Sequence, residues 1–365
     1  MNFDVDRNIG RTAASVERVP RLSVLDQSPV AEGSTGAQAL QNTIDLAQLA
    51  DRLGYHRYWV AEHHGGAMLA GPSPEVLIGP IAARTQRIRV GSGGVMLPHY
   101  SPLKVAESFS VLAGLFPERI DLGIGRAAGT DPMTTFALQR DRRTAMPDDF
   151  PDQLVELLAY LNGTFPDGHR FARLAELPGR PELPDPWLLG SSPQSAIWAG
   201  ELGLPYAFAD FINPGGRDIV GDYRARFQHS ERRMAPEVAV AAWVLVADTE
   251  EEAQRLAASH RMAFTLLRRG RLIAVPPPDK ALRFLESEGQ AAGAGVRGRR
   301  AIVGAPDKVR AQVEQLADDY GADEVIVVTI THDHGARRRS YELLAEMFEL
   351  AGAGAPGAAA GSTGG

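Results

Sequence analysis

Five segments of this 365-residue chain gather side chains that can do chemistry. Glu62-His63-His64 sets two adjacent imidazoles beside a carboxylate. Histidine donates or accepts a proton near neutral pH and also ligates metals. The plainer reading bonds one ring to backbone and exposes the other. The spacing is not the helical His-Glu-x-x-His of zinc proteases. Gly123-Ile124-Gly125-Arg126 places an arginine among small residues, and a guanidinium holds a phosphate through two parallel donors. This Gly-x-Gly does not complete a dinucleotide fingerprint. Gly190-Ser191-Ser192-Pro193-Gln194-Ser195 offers hydroxyls and free N–H groups where Pro193 opens a helix. That is an anion site or a simple serine N-cap. Gly91-Ser92-Gly93-Gly94 permits close backbone approach to a flat ligand, or a bulged strand. Thr331-His332-Asp333-His334 could contact substrate or, with His63 and His64, hold a metal.

Composition removes several chemistries. There is no cysteine, so disulfides, thiolate metal sites and cysteine nucleophiles are out. The net charge of −7 argues against nucleic-acid binding. Arg297-Gly298-Arg299-Arg300 and Arg337-Arg338-Arg339 read as solvated charges. No apolar run approaches the about 18–20 residues of a membrane span. The polar N-terminus lacks a signal peptide, which predicts a cytoplasmic protein. Residues 1–20 and 352–365 read as flexible tails.

Residues 21–351 must position these groups. Apolar runs predict strands at Leu22–Leu25, Arg57–Ala61, Ile88–Met96, Ile120–Ile124, Trp187–Leu189, Tyr206–Ala209, Val238–Ala247 and Glu324–Ile330. Helical spacing separates them, for example over Thr43–Leu53, Pro74–Thr85, Pro102–Leu115, Asp149–Leu161, Arg217–Arg233 and Arg338–Glu349. Residues 270–300, with Pro276-Pro277-Pro278, read as an insertion or loop. Such alternation forces parallel strands joined by right-handed crossovers. Eight units predict a single (β/α)8 TIM barrel with insertions, and an open doubly wound sheet is the runner-up. In a barrel the active site lies at the C-terminal strand ends. All five segments fall there, as does Gln27 after the first strand. Arg126 and the serine loop follow neighbouring strands, so they predict one shared phosphate site.

Taken together, the chain resembles the luciferase-like flavin monooxygenases, the bacterial luciferase superfamily, from about Leu22 to Leu350. The stretches that carry this are Gly54–His64 (GYHRYWVAEHH), Gly91–Pro102 with Glu107, Phe116–Arg126 (FPERIDLGIGR), Gly190–Ala209 and Gly321–His334 (GADEVIVVTITHDH), in family order. The pattern is similar to a subgroup with members that tailor aromatic polyketides in actinomycetes. The resemblance implies FMN, used as FMNH2 from a separate flavin reductase, with O2 as co-substrate through a flavin C4a adduct. It implies a catalytic imidazole at His63 and a non-prolyl cis peptide at Gly93-Gly94 against the isoalloxazine. Glu107 matches the acid on the next helix. Arg126 would hold the FMN phosphate, with Ser191, Ser192 and Ser195. It also implies a homodimer and hydroxylation, epoxidation or Baeyer–Villiger oxidation of a small-molecule substrate. Gln27 and His332 are the substrate-cavity candidates, and no metal is expected. Two positions depart from the family: Ser191 stands where luciferases often carry an acid, and Gly125 where they carry a reactive cysteine. The alternatives are a metal-dependent barrel hydrolase using His63, His64, His332 and His334, a non-catalytic flavin-binding relative, and a deazaflavin enzyme.

Overall fold

The computed structural model describes residues 19–126, 131–139, 142–143, 149–179, 182–230, 232–290 and 298–351. The two expected tails lie outside these residues, apart from Val19 and Pro20. Nine strands form: β1 (Arg21–Asp26), β2 (Arg57–Val60), β3 (Arg89–Met96), β4 (Ile120–Gly125), β5 (Asp185–Gly190), β6 (Tyr206–Ala209), β7 (Val238–Val246), β8 (Ala301–Gly304) and β9 (Glu324–Val328). Every ladder between them is parallel. β1 to β7 pair in sequence, β7 pairs with β9, and β9 returns to β1. The result is a closed eight-stranded parallel barrel, as the alternation predicts. β8 is the strand that the sequence pattern does not disclose. It pairs only with the far end of β7, from Trp243↔Ala301 to Val246↔Gly304, beyond the stretch that β9 uses.

Local chemistry explains most helix ends. The first helix begins at Gly36, earlier than Thr43, because the Thr35 side chain accepts the Gln38 N–H and caps it. It stops at Gly54, whose φ is 89° and where a Cβ would lie 2.3 Å from the Ala351 carbonyl oxygen. Thr249 caps helix Glu250–Leu267 by accepting the Glu252 N–H, behind three first-turn glutamates. The charged helix after β6 ends at Arg226 rather than Arg233. Within 270–300, Pro278–Ser287 is a helix with Pro277 as its cap. Ala281 and Leu285 pack on Ala258, Met262 and Leu266 of helix Glu250–Leu267. The triple proline is thus a helix start, which proline's fixed φ favours. No described helix is long and apolar enough to cross a membrane.

The period of two along each strand divides the core. Outward residues such as Val24, Tyr58, Val60, Val90, Leu122, Phe208 and Val240 pack under the helices. Inward residues Leu25, Trp59, Trp187, Ala207, Ala239, Ala241 and Ile326 fill the lumen. Below them, at the N-terminal strand ends, sits a buried ion network. Arg57 Nε donates to Glu324 Oε1 at 2.8 Å and its Nη1 to Asp121 Oδ2 at 2.9 Å. Arg89 and the Trp59 indole N–H also donate to Asp121. A second buried pair, Arg337 with Asp26 at 2.7 Å, ties the last helix to β1.

Candidate active site

A cavity of about 530 Å³ opens at the C-terminal strand ends. It brings together Gln27, His63, Gly93, Gly94, Arg126, Ser191, Ser192 and Ser195, from the ends of five different strands. Trp59, Leu25, Phe211 and Ile212 make its apolar walls, and Met96, Phe150 and Trp198 close other sides.

The two histidines after β2 take different roles. Glu62 is buried, and its two oxygens are both engaged. Oε1 lies 2.8 Å from His64 Nε2 and Oε2 accepts the Met96 N–H at 2.9 Å. The plain reading, one ring on backbone and the other exposed, does not hold: His64 is tied to a carboxylate, and neither ring is exposed. His63 is held by its backbone, which donates to the Gly71 carbonyl at 3.1 Å. Its buried Nδ1 has no hydrogen-bond partner. Burial, helped by the adjacent His64, lowers its pKa from 6.5 to about 4. The ring that faces the cavity is therefore neutral at pH 7.

Glycines leave one wall bare. Gly93 pairs with Gly123, and Met96 with Gly125, across a register shift between Gly93 and Val95. The Gly93–Gly94 peptide is cis. A Cβ on Gly93 would meet Leu25 Cδ1 at 2.6 Å, and one on Gly94 the Gly123 carbonyl oxygen at 2.8 Å. Side chains are thus excluded from this surface by packing on its back. At Gly125 a Cβ would meet only the tip of Met96, at 2.6 Å.

The opposite rim collects donors. Arg126 follows β4, is exposed, and its guanidinium carbon lies 5.5 Å from the Trp198 ring centroid. Trp198 belongs to helix Pro193–Glu201, which the serine loop opens. Ser192 caps that helix, and with Ser195 it forms a reciprocal capping box. Ser195 Oγ also donates to the Ser192 carbonyl at 2.8 Å and lies 2.8 Å from the Tyr206 hydroxyl. The Ser191 carbonyl accepts from Asn213 at 2.9 Å. The structure shows the N-cap: Pro193 has no N–H and the Ser195 N–H goes to Ser192 Oγ, so Gln194 carries the first-turn N–H that the cap does not use.

Two expected residues stand elsewhere. Glu107 does not line the cavity. It sits in the second turn of helix Pro102–Leu115, its carboxylate 3.6 Å from Lys104. His332 does not line it either: its Nε2 lies 3.1 Å from the Glu32 carbonyl oxygen. The cause is Asp333, whose side chain accepts the Ala336 N–H and caps helix His334–Met347. That cap turns the His-x-His motif into a helix start, and His334 Nε2 lies 2.8 Å from Asp45. Among the described residues no three His, Cys, Asp or Glu side chains form a group that could hold a metal ion. The four histidines of the hydrolase alternative are therefore not assembled.

A second chamber of about 190 Å³ adjoins the first and shares Gln27, His63, Phe211 and Ile212 with it. Its far wall carries Trp243, His260 and Phe264, which the sequence patterns do not single out, and Arg299, expected from its tract to be a solvated charge but half-buried against Phe211 and Phe264. His260 is masked there as one more residue of an alanine-rich helix.

Comparison with known proteins fits this geometry. The sequence matches the family described as luciferase-like monooxygenase over residues 21–324. A Bacillus subtilis protein of uncharacterised function, YwcH, is 49% identical over 90% of this chain and 98% of its own length. The N-acetyl-S-alkylcysteine monooxygenase of the same organism is 39% identical over 89% of this chain and 97% of its own. The crystal structure of apo-MsnO8 superposes with a TM-score of 0.81 at 45% identity, covering 92% of this chain and 99% of that one. The oxygenating constituent of 3,6-diketocamphane monooxygenase from Pseudomonas putida, solved with FMN, shares the fold at 19% identity and a TM-score of 0.67. It covers 90% of this chain and 97% of its own.

Proposed function

The chain belongs to the luciferase-like monooxygenase family, and from that premise we propose that it is an FMN-dependent, two-component monooxygenase acting on a small organic substrate. The observation that carries this is one cavity holding three unlike surfaces. These are the bare glycine wall, the neutral His63 with its unpartnered Nδ1, and the donor rim of Arg126 with the Ser192-capped helix. A planar ring with a phosphate tail matches the first and third together. A side chain on Gly93 would collide with Leu25 and Trp59 of the cavity wall, and one on Gly94 with the β4 backbone, which supports a bare surface here.

Arg126, Ser191, Ser192 and Ser195 would hold the phosphate, and Gly93 and Gly94 would lie against the ring. Reduced FMN, delivered by a separate flavin reductase, supplies the electrons that activate O2. The protein's task is then to orient, to dry the site and to manage protons. Leu25, Trp59, Phe211 and Ile212 exclude water from the inner cavity, which protects a reactive oxygen species from hydrolysis. Neutral His63 accepts or returns a proton at Nδ1, the atom left without a partner. Gly125 stands where luciferases carry a thiol, and among the described residues Met96 is the sulfur that lines this cavity.

The resemblance points to a secondary metabolite such as a polyketide as substrate, and the name of the Bacillus relative points to a thioether. We place the protein in the cytoplasm as a homodimer. The test is anaerobic titration with reduced FMN, followed by an air pulse with a reductase present. Stoichiometric binding and a flavin absorbance transient distinct from free FMN are expected. Tighter binding of a deazaflavin than of FMN, or oxidation indistinguishable from free flavin, would overturn this reading.

A further inference from the structure

The side chamber beside His63 combines features that the flavin site does not need. Trp243 on β7 and His260 on helix Glu250–Leu267 are 7% and 9% exposed. Their rings lie 4.1 Å apart, centroid to centroid. Trp243 Nε1 and His260 Nε2 are both buried without a hydrogen-bond partner. An indole N–H can only donate, so it asks for an acceptor that the described residues do not provide. Arg299 closes the same wall. Its Nη1 donates to the Phe211 carbonyl at 2.7 Å, and its guanidinium lies 5.4 Å from the Phe264 ring. A guanidinium has five N–H donors, so one bond fixes its place without exhausting it. Among the described residues no carboxylate lines the chamber. Burial alone lowers His260 from 6.5 to about 4, so that ring adds no charge at neutral pH.

We propose that this chamber is the substrate anchor, and that it selects organic molecules carrying a carboxylate, held by Arg299 and the Trp243 indole N–H. The apolar remainder of the substrate then extends past Phe211 and Ile212 into the main cavity, toward His63 and the glycine wall. His260 is a positioning residue, packed edge-on against the Trp243 ring. The inference rests on the oxygenase reading for its orientation, since the reacting end must face the flavin. The carboxylate preference itself depends only on the chamber.

Matched probes separate the two. Calorimetric titration of the full chain with 4-phenylbutyrate and with 4-phenylbutyramide, each with and without oxidised FMN, reads the preference directly. The acid is expected to bind at least about tenfold tighter than the amide in both states. Arg299→Met should bring the acid down to the affinity of the amide. Trp243→Phe, which keeps the ring packing, should weaken both probes by about tenfold because both present an oxygen acceptor. His260→Gln serves as a second variant, expected to lower affinity less. FMN affinity should stay within about twofold in all three. Equal binding of acid and amide to the wild type would overturn the proposal, as would an acid preference that survives Arg299→Met. Failure of reduced FMN to bind under anaerobic conditions would instead overturn the oxygenase reading, while the titrations without flavin would still decide this one.

Discussion

The two ends of the barrel lumen use polar groups in opposite ways. At the N-terminal end, Arg57, Asp121 and Glu324 are buried, with Arg89 half-buried beside them, and they satisfy one another, with bonds of 2.8–2.9 Å around Arg57. At the C-terminal end, His63 Nδ1, Trp243 Nε1 and His260 Nε2 are buried and unsatisfied. A buried polar atom without a partner costs about 1–3 kcal/mol. The first end is therefore built for the folded state alone, and the second carries a cost that a ligand would relieve. This is the division expected of a barrel, with stability at the bottom face and chemistry at the top.

Four measurements would sharpen or break that contrast. The largest effect should come from Arg57→Met. It leaves Asp121 and Glu324, both 0% exposed, without their main cation. A loss of about 3–5 kcal/mol in denaturant unfolding is expected, with FMN affinity unchanged in the fraction that folds. A loss below 1 kcal/mol would mean the network is not structural. Next, His63→Ala should lower turnover by roughly 100-fold while FMN affinity stays within about tenfold. Its unfolding free energy should change little or rise, because the orphaned atom is removed. Third, Arg126→Ala should weaken FMN by about tenfold or more through loss of a charge-assisted contact. Unaltered FMN binding would remove Arg126 from the phosphate site.

The smallest effect, read for one histidine over one pH unit, is a pH dependence. His63 and His260 stay neutral in the folded chain down to about pH 4, whereas the unfolded chain protonates them near 6.5. Below pH 6.5 the unfolded state binds more protons, so stability falls as pH falls, until both folded rings titrate near 4. Each contributes a slope of about 1 kcal/mol per pH unit within that window. His260→Phe should remove its share, and an unchanged slope would show that His260 is not held neutral. At the N-terminal end Asp121 adds little here, because it lies below its usual 3.8, held there by Arg57 and Arg89 against its burial, whereas His56 beside Arg57 is lowered from 6.5 by burial and adds slope of the same sign.

Much of the barrel was legible because short β-branched and apolar runs alternate with amphipathic segments along nearly the whole chain. The strand-end rule gathers Gln27, His63, Arg126 and the serine loop into one rim. The same rule misplaces His332, since a short polar residue between two histidines becomes a helix cap. The family resemblance points to Glu107, and in this chain it lies beside Lys104 on the flank of its helix. Helix Pro278–Ser287 is hidden by its prolines. β8 is hidden because its four residues, Ala301–Gly304, directly follow a Gly/Ala/Arg-rich stretch that reads as loop.

The local pattern alone determined most of the element order, the parallel direction of the strands and which loops follow their C-terminal ends. These follow from side-chain period and from short-range bonds such as the Thr35, Ser192 and Thr249 caps. Only the tertiary structure decided which polar atoms are left without partners. Whether Trp243 and His260 meet, and whether either finds an acceptor, depends on how β7 packs against helix Glu250–Leu267. Satisfaction of a buried group is a property of every neighbour at once, and periodicity along one strand or helix does not contain it.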